Sequence, residues 1–218
     1  GTPHEPRIKK QMGRMDETTV TDRADRYELL ATAATALERA SGYLPVGIDH
    51  FAIPGDSMAI ALQNKALRRN FQGYTTDDCT AMIGLGVSSI GKLPQGFIQN
   101  SAGMPLYKES IANDKLPVAK IKPLGNEDRL RAALIEQIMC YMSADIHDIC
   151  RQYGYDRDFF DKDLGALAVY EQDGMVVLNR DTGHLSIPKE ARHAVRMICA
   201  QFDSHFQQTT EKRHAAAI

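Results

Sequence analysis

The sequence predicts a mostly helical α+β protein, and three observations lead to that prediction. The chain has 218 residues, of which 43% are hydrophobic and 25% charged, a composition typical of globular proteins. Apolar residues recur at helical spacing in several segments, for example at Leu130, Leu134 and Ile138. The segment 70–100 instead carries five glycines, a density that favours strands and turns.

The first half of the chain is predicted to alternate helices with short strands. Residues 1–20 are polar and show little periodicity, which indicates a loop or linker. Thr21 or Asp22 begins the first helix, and Ser41-Gly42 ends it. The predicted elements are a helix over 22–40, a strand over 46–52, a helix over 58–69 and glycine-rich strands and turns over 70–100.

The second half is predicted to be more helical and to contain one hairpin. Its predicted elements are helices over 104–113, 126–143, 144–153, 158–171 and 188–207, a strand over 116–121 and a hairpin over 175–187. Three helices, a hairpin and a closing helix outline a winged-helix-like unit. Winged helices often bind nucleic acid, which requires a basic face. Residues 188–214 carry a net charge of only +2, spread around the helix, so we expect a structural unit.

Composition excludes several classes of partner and site. The net charge of −2 and pI near 6.4 predict no general attraction to nucleic acid or to an anionic membrane. No apolar run approaches the roughly 18 residues of a spanning helix, and no signal-peptide pattern is present. The chain begins at Gly1 rather than Met, so we expect a processed, cut or cloned terminus.

The four cysteines are scattered and form no C-x-x-C pair. That spacing predicts neither a structural zinc site nor an iron–sulfur cluster. Cys140 and Cys199 lie in apolar helical stretches and are predicted to be buried small hydrophobes. Scattered cysteines favour a reducing compartment, which predicts the cytoplasm.

Two polar segments are candidates for ligand contacts. Asp49-His50 could form an acid–base pair, but neighbouring strand residues point to opposite faces, so we expect His50 to be structural. Arg68 and Arg69 are predicted at a helix end, followed by amide, aromatic and hydroxyl side chains. They could bind a planar ligand rich in carboxylates, or they could complement the helix dipole, and both readings stay open.

The segment from Gly84 to Gly91 is rich in glycine but is not a dinucleotide fingerprint, because its third glycine comes too late. It remains a stretch of backbone that could lie against a nucleotide-like ligand.

Four blocks of sequence, taken together, resemble the oxygen-independent coproporphyrinogen III oxidases. They occur in that family's order and at closely similar spacing, and the resemblance extends over nearly the whole chain. The blocks are Gly47-Ile48-Asp49-His50-Phe51-Ala52, Arg69-Asn70-Phe71-Gln72-Gly73-Tyr74-Thr75-Thr76, Gly84-Leu85-Gly86-Val87-Ser88-Ser89-Ile90 and Gln99-Asn100.

The resemblance implies a radical S-adenosylmethionine enzyme of heme biosynthesis. Enzymes of this family reduce S-adenosylmethionine with a [4Fe-4S] cluster and use the resulting radical to remove hydrogen from propionates of coproporphyrinogen III. Two propionates become vinyl groups, carbon dioxide leaves, and protoporphyrinogen IX is formed. A tetrapyrrole with four carboxylates agrees with the interpretation of Arg68 and Arg69 as residues that bind a planar ligand rich in carboxylates.

The chain lacks the C-x-x-x-C-x-x-C-x-C motif with which the family holds its cluster. The resemblance therefore implies only the C-terminal half, inactive by itself, whose partner is the N-terminal radical SAM half. We expect residues 1–20 to be the edge of a partial (β/α) barrel with a linker, 21–120 to cover cofactor and substrate, and 121–218 to form a helical domain with the winged-helix-like tail.

The resemblance also implies site residues. Ile90 matches a position that contacts S-adenosylmethionine, and Gln72 one near the cofactor and substrate pocket. Pro3 lies in Gly1–Pro6, which resembles a cofactor-contacting segment at the end of a barrel strand but differs from the family pattern at Pro3 and Glu5. The expected substrate contacts are Arg69, Asn100 and His50. The alternatives are a non-catalytic porphyrin- or heme-binding module and a winged-helix nucleic-acid-binding protein.

Overall fold

The computed structural model describes residues 23–206, and these form eight α-helices, one 3-10 helix and ten short strands. The N-terminal elements are α1 (Arg23–Ser41), β1 (Leu44–Val46), β2 (His50–Ala52), α2 (Ser57–Gln63), β3 (Arg68–Asn70), β4 (Gly73–Thr75), β5 (Ile90–Leu93), β6 (Gly96–Asn100), α3 (Met104–Ala112) and β7 (Val118–Pro123). The C-terminal elements are α4 (Asn126–Tyr141), β8 (Ser143–Asp145), α5 (Ile146–Gln152), α6 (Asp161–Gly165), α7 (Ala168–Gln172), β9 (Val177–Asn179), β10 (His184–Ser186), the 3-10 helix (Lys189–Ala194) and α8 (Val195–Gln201).

Four small antiparallel sheets make up the described β-structure. β1 pairs with β2, β3 with β4, and β6 lies between β5 and β7. β10 lies between β8 and β9 in the C-terminal part. The described strands form no closed barrel, and the barrel edge predicted for residues 1–20 lies outside the described residues. The mostly helical α+β class is confirmed, whereas the winged-helix assignment and the three-part division of the chain stay predictions.

Helix α4 connects two hydrophobic cores. Leu130, Leu134 and Ile138 face the larger core, which the C-terminal helices and the β8–β10–β9 sheet enclose. One residue near the end of the same helix, Cys140, joins a smaller core with Val46 and other residues of the N-terminal elements. The β1–β4 hairpins are therefore anchored on the C-terminal part of the protein.

Three predicted elements differ from the structure for local reasons. The helix predicted over 58–69 ends at Gln63, because Lys65 takes a left-handed conformation with φ 54° and the chain then enters β3. The strand predicted over 46–52 is broken by a turn at Gly47, whose φ is 59°. The helix predicted over 158–171 is two short helices, α6 and α7.

The remaining predictions agree better with the structure. The first helix, the helix over 104–113, the long helix from Asn126 and the hairpin over 175–187 are confirmed within two residues at most boundaries. The predicted closing helix begins as a 3-10 helix and becomes α-helical at Val195. The last residues of that prediction lie outside the described range.

None of the helices in the described range 23–206 has the length and apolarity needed to cross a bilayer.

Candidate active-site surface

Tyr74 on β4 holds together the elements that carry the first group of candidate residues. Its ring is buried, its hydroxyl accepts a hydrogen bond from the Ile48 backbone N–H at 2.9 Å, and it donates one to the Met139 carbonyl oxygen at 2.9 Å. Burial raises the pKa of the Tyr74 hydroxyl, so it stays protonated and able to donate. The hydroxyl thereby joins the β1–β2 turn to α4.

Gly47 makes that arrangement possible. A Cβ atom placed on Gly47 would lie 1.9 Å from the Tyr74 Cζ atom, and the residue adopts φ 59°. Both facts require a residue without a side chain at this turn.

Arg69 packs against the same tyrosine. Its guanidinium carbon lies 5.6 Å from the centre of the Tyr74 ring, and its backbone N–H donates to Glu136 Oε1 at 3.0 Å. Its Nε atom is buried and has no hydrogen-bond partner among the described residues. The interpretation that Arg68 and Arg69 complement a helix dipole is wrong, because both residues lie on strand β3 and not at a helix end.

His50 and Asp49 do bond each other, contrary to the prediction. His50 Nδ1 lies 2.8 Å from Asp49 Oδ1, and Asp49 Oδ2 lies 3.6 Å from Arg196 Nη2. The prediction failed because Asp49 lies in the turn before β2, where strand alternation does not apply. The His50 ring meets the Tyr74 ring edge-on at 5.1 Å. His50 is therefore oriented by both a carboxylate and a ring.

The turn between β3 and β4 presents Phe71 and Gln72 to solvent. Asn70 Oδ1 accepts hydrogen bonds from the backbone N–H groups of Gln72 at 2.8 Å and Gly73 at 3.2 Å, which fixes the turn. Phe71 is 58% exposed and meets the Phe97 ring of β6 edge-on at 5.1 Å. This contact joins the hairpin to the β5–β6–β7 sheet.

Asn100 organises the glycine-rich loop that precedes β5. Its side chain is 8% exposed, and Nδ2 donates to the carbonyl oxygens of Gly84 and Gly86, both at 3.0 Å. The Asn100 backbone N–H also donates to the Ser89 carbonyl at 2.9 Å. The structure thus gives Asn100 a positioning role, because its amide holds the backbone of the loop.

Strand register places Ile90 on the sheet face that meets the β3–β4 hairpin. Ile90 pairs with Gln99 and Gln99 with Lys120, and the next row on the same face is Lys92, Phe97 and Lys122. Because Phe97 contacts Phe71, this is the sheet face that meets the hairpin. We call these six sheet residues the lysine-rimmed face.

The structure brings the predicted site residues together in two joined groups. Arg69 and His50 both pack on Tyr74, and Gln72 lies at the tip of the same hairpin. Ile90 lies on the lysine-rimmed face, and Asn100 holds the loop that leads to it. Pro3 lies outside the described residues.

Sequence reasoning missed Phe97 and the three lysines of this face. Their signal was present as period-two alternation in Ile90-Gly91-Lys92, Phe97-Ile98-Gln99 and Lys120-Ile121-Lys122.

The cysteines do not fit a [4Fe-4S] cluster. Cys140, Cys150 and Cys199 are buried and only Cys79 is exposed, so the predicted burial of Cys140 and Cys199 is confirmed. Burial raises the pKa of Cys140 and of Cys199 each to about 12, whereas cluster ligands are thiolates. Residues 23–206 contain no group of three or more cysteine, histidine or acidic side chains suited to a metal ion.

Thiol labelling checks this burial. In the folded chain, Ellman's reagent at pH 8 is expected to react with Cys79 in a fast phase before the other three cysteines, because Cys79 is the exposed one. The hydrogen bond with Asp77 raises the pKa of the Cys79 thiol, so this phase should be slower than the reaction of a free cysteine. All four cysteines are expected to react after denaturation in guanidinium chloride. The C79S variant is the control and should lose the fast phase, whereas two or more fast thiols in the native chain would contradict the burial of the others.

A separate open cleft of about 850 Å³ lies in the C-terminal part and shares no lining residue with the candidate surface. His147, Arg157 and three aspartates are among its lining residues. Arg180 also lines it and pairs with Glu171 at 2.5 Å, not with the neighbouring Asp181. The mixed charges of the cleft select no class of ligand.

Comparison with known proteins gives a consistent result across the whole chain. The oxygen-independent coproporphyrinogen III oxidase of Bradyrhizobium diazoefficiens is 42% identical over 218 residues, which are 100% of this chain and 48% of that protein. The anaerobic coproporphyrinogen III oxidase 1 of Cereibacter sphaeroides is 38% identical over 217 residues, covering 100% of this chain and 47% of its own length. This chain is a homologue of the oxygen-independent coproporphyrinogen III oxidases. It spans about half the length of these curated relatives.

The solved structure of coproporphyrinogen III oxidase from Escherichia coli, described as a radical SAM enzyme, agrees with this homology. It superposes with a TM-score of 0.84 at 28% identity, covering 93% of this chain and 46% of that one. No family model matches the sequence. The resemblance read from the four sequence blocks is thus confirmed, and the fold is that of the corresponding part of the bacterial oxidase.

Proposed function

We propose that this chain forms the C-terminal half of an oxygen-independent coproporphyrinogen III oxidase of heme biosynthesis and covers the substrate there. The observation that carries the proposal is the match to oxidases of this name at 42% identity over the full length of the chain. The complete enzyme would convert two propionates of coproporphyrinogen III to vinyl groups with loss of carbon dioxide. The cytoplasmic location stays a prediction.

The cofactor contacts would come from the hairpin tip and the lysine-rimmed face. Ile90 offers a half-buried apolar side chain and Gln72 an exposed amide, which suit the apolar and polar parts of an adenosyl group. The backbone is tightly packed at Gly84 and Gly91, where a Cβ would lie 2.5 Å from Ser89 Oγ and 2.9 Å from the Met82 carbonyl oxygen, whereas a Cβ at Gly86 would meet nothing within 4 Å. When bound, S-adenosylmethionine supplies the radical that removes hydrogen from the substrate. Pro3 is also proposed as a cofactor contact, on the sequence resemblance alone.

Arg69 and His50 would act on the substrate side. The Arg69 guanidinium is held against the Tyr74 ring, and its unpartnered Nε fits an incoming carboxylate oxygen. His50 is fixed by Asp49 at 2.8 Å and lies beside the same ring. Asn100 would contribute through the loop that it holds. These groups bind and orient, and the [4Fe-4S] cluster would reside in the N-terminal radical SAM half.

A chimeric enzyme tests the proposal. This chain replaces the matched 48% of the Bradyrhizobium diazoefficiens oxidase, and the chimera is expected to convert coproporphyrinogen III to protoporphyrinogen IX under anaerobic conditions with S-adenosylmethionine and a reductant. The product is measured by chromatography after oxidation to the porphyrin.

The isolated chain, treated with iron and sulfide, is the control and should gain no cluster absorption and no activity. A chimera that folds and carries its cluster but releases no product would contradict the proposal. Cluster formation and S-adenosylmethionine cleavage by the isolated chain would also contradict it.

A further inference from the structure

The lysine-rimmed face has an apolar centre with positive charge on both sides. Register places Lys92 on β5 at one edge and Lys120 and Lys122 on β7 at the other, with Phe97 between them. Strands lie about 4.8 Å apart, so the edges are separated by roughly 10 Å of backbone. The lysine side chains can therefore reach around a ligand that lies over the central strand.

The three lysines are available for a ligand. Each is exposed, and no carboxylate of residues 23–206 lies within ion-pair distance of any of them. The six paired positions of the face contain no acidic residue. The carboxylate of Asp128 interacts electrostatically with Lys122, but its two oxygens are already bonded to His205 Nε2 and to the Gly125 backbone N–H. The exposed ring of Phe71 extends the apolar centre beyond the sheet through its contact with Phe97.

We propose that the lysine-rimmed face binds a tetrapyrrole through its carboxylates, with Lys92 on one side of the ligand and Lys120 and Lys122 on the other. This inference rests on the proposed function and adds residues that neither the sequence blocks nor the predicted site contained. A tetrapyrrole with peripheral propionates has an apolar body and anionic edges, which is the complement of this face. Phe71 and Phe97 would contact the pyrrole rings.

The three cations would contribute to both affinity and orientation. Each exposed lysine–carboxylate pair adds modestly to binding, so we expect the three together to change the affinity by about tenfold. Salt screens such pairs, so their contribution should fall between low and high ionic strength. Binding on two opposite edges would also fix the rotation of the tetrapyrrole relative to Gln72 and Arg69.

Titration of the full chain with coproporphyrin III, followed by the porphyrin's fluorescence, tests the inference. At low salt, the K92Q/K120Q/K122Q variant is expected to bind about tenfold more weakly than the unaltered chain. The matched control K108Q/K115Q/K162Q removes the same charge elsewhere on the surface and should change the affinity less than twofold. The K92R/K120R/K122R variant should retain binding, which separates charge from structural damage.

Four results would overturn the inference. The first is equal affinity of the glutamine variant and its control for coproporphyrin III, and the second is no binding of coproporphyrin III by the unaltered chain. The third is that the tetramethyl ester of coproporphyrin III binds as tightly as the free acid. The fourth is that a single-stranded oligonucleotide binds more tightly than coproporphyrin III at the same salt concentration. The chimera separates this inference from the proposed function. If the chimera is active but binding does not depend on the three lysines, only this inference is contradicted. If the chimera is inactive but binding does depend on the lysines, the proposed function is contradicted and the tetrapyrrole site is retained.

Discussion

Replacing Gly47 by alanine is expected to destabilise the chain by about 3 kcal/mol. The new Cβ would lie 1.9 Å from the buried Tyr74 ring, and overpacking of this kind costs roughly 1–3 kcal/mol. The residue also holds φ 59°, a conformation that costs a non-glycine residue about 1–2 kcal/mol. Urea denaturation followed by circular dichroism measures the difference.

Gly55→Ala is the matched control, because a Cβ there meets nothing within 4 Å and the residue has no left-handed φ. Its free energy of unfolding should change by less than about 1 kcal/mol. In a Tyr74→Leu background the cost of Gly47→Ala should shrink, since the ring that the new methyl group meets is gone. An equal cost with and without the ring would show that the close approach is not what requires glycine.

The sequence predicts the helices of this protein well because they carry their own signals. Asn126 begins α4, and Leu130, Leu134 and Ile138 repeat at the spacing of one helix face, which is the face that enters the larger core. Such periodicity requires no knowledge of distant residues. The burial of Cys140 and Cys199 follows from the same local pattern.

The candidate surface depends on contacts between residues far apart in the chain, and these are not visible locally. Arg69 looks like the end of a helix, but its backbone N–H bonds to Glu136, which is 67 residues away. That pairing and the buried Leu67 favour a strand over continued helix. Strand alternation predicts that Asp49 and His50 point to opposite faces and cannot bond each other. Alternation does not apply here, because the turn that begins at Gly47 includes Asp49, and the two side chains do bond.

The lysine-rimmed face illustrates a further limit. Each of its strands shows alternation, but the face exists only because Ile90 pairs with Gln99 and Gln99 with Lys120. A shift of one residue would send the lysines to opposite faces of the sheet. Register here is set by the turn at Pro94 and Gln95, by the close packing of Gly96, where a Cβ would lie 2.2 Å from the Lys122 carbonyl oxygen, and by the bonds that Asn100 makes to the preceding loop.

Replacing Asn100 by leucine is expected to free that loop and to reduce the activity of the chimeric enzyme at least tenfold. The side chain donates to two carbonyl oxygens, those of Gly84 and Gly86, and leucine of similar size removes both bonds. A buried acceptor left without its donor costs about 1–3 kcal/mol, which the loop can avoid only by moving its carbonyls to water. Hydrogen exchange over residues 84–90 should therefore accelerate.

The control for this substitution is Asn113→Leu, which removes one exposed side-chain bond to the Glu109 carbonyl at the end of α3. It should leave both exchange in the loop and activity of the chimera within about twofold, because exposed hydrogen bonds contribute little net stability. If Asn100 acts by contacting substrate, activity will fall while exchange over 84–90 stays unchanged. If it acts by positioning the loop, as its two bonds indicate, activity will fall and exchange over 84–90 will accelerate together. The Asn100→Asp variant will then lose activity as well, since a carboxylate cannot donate to either carbonyl.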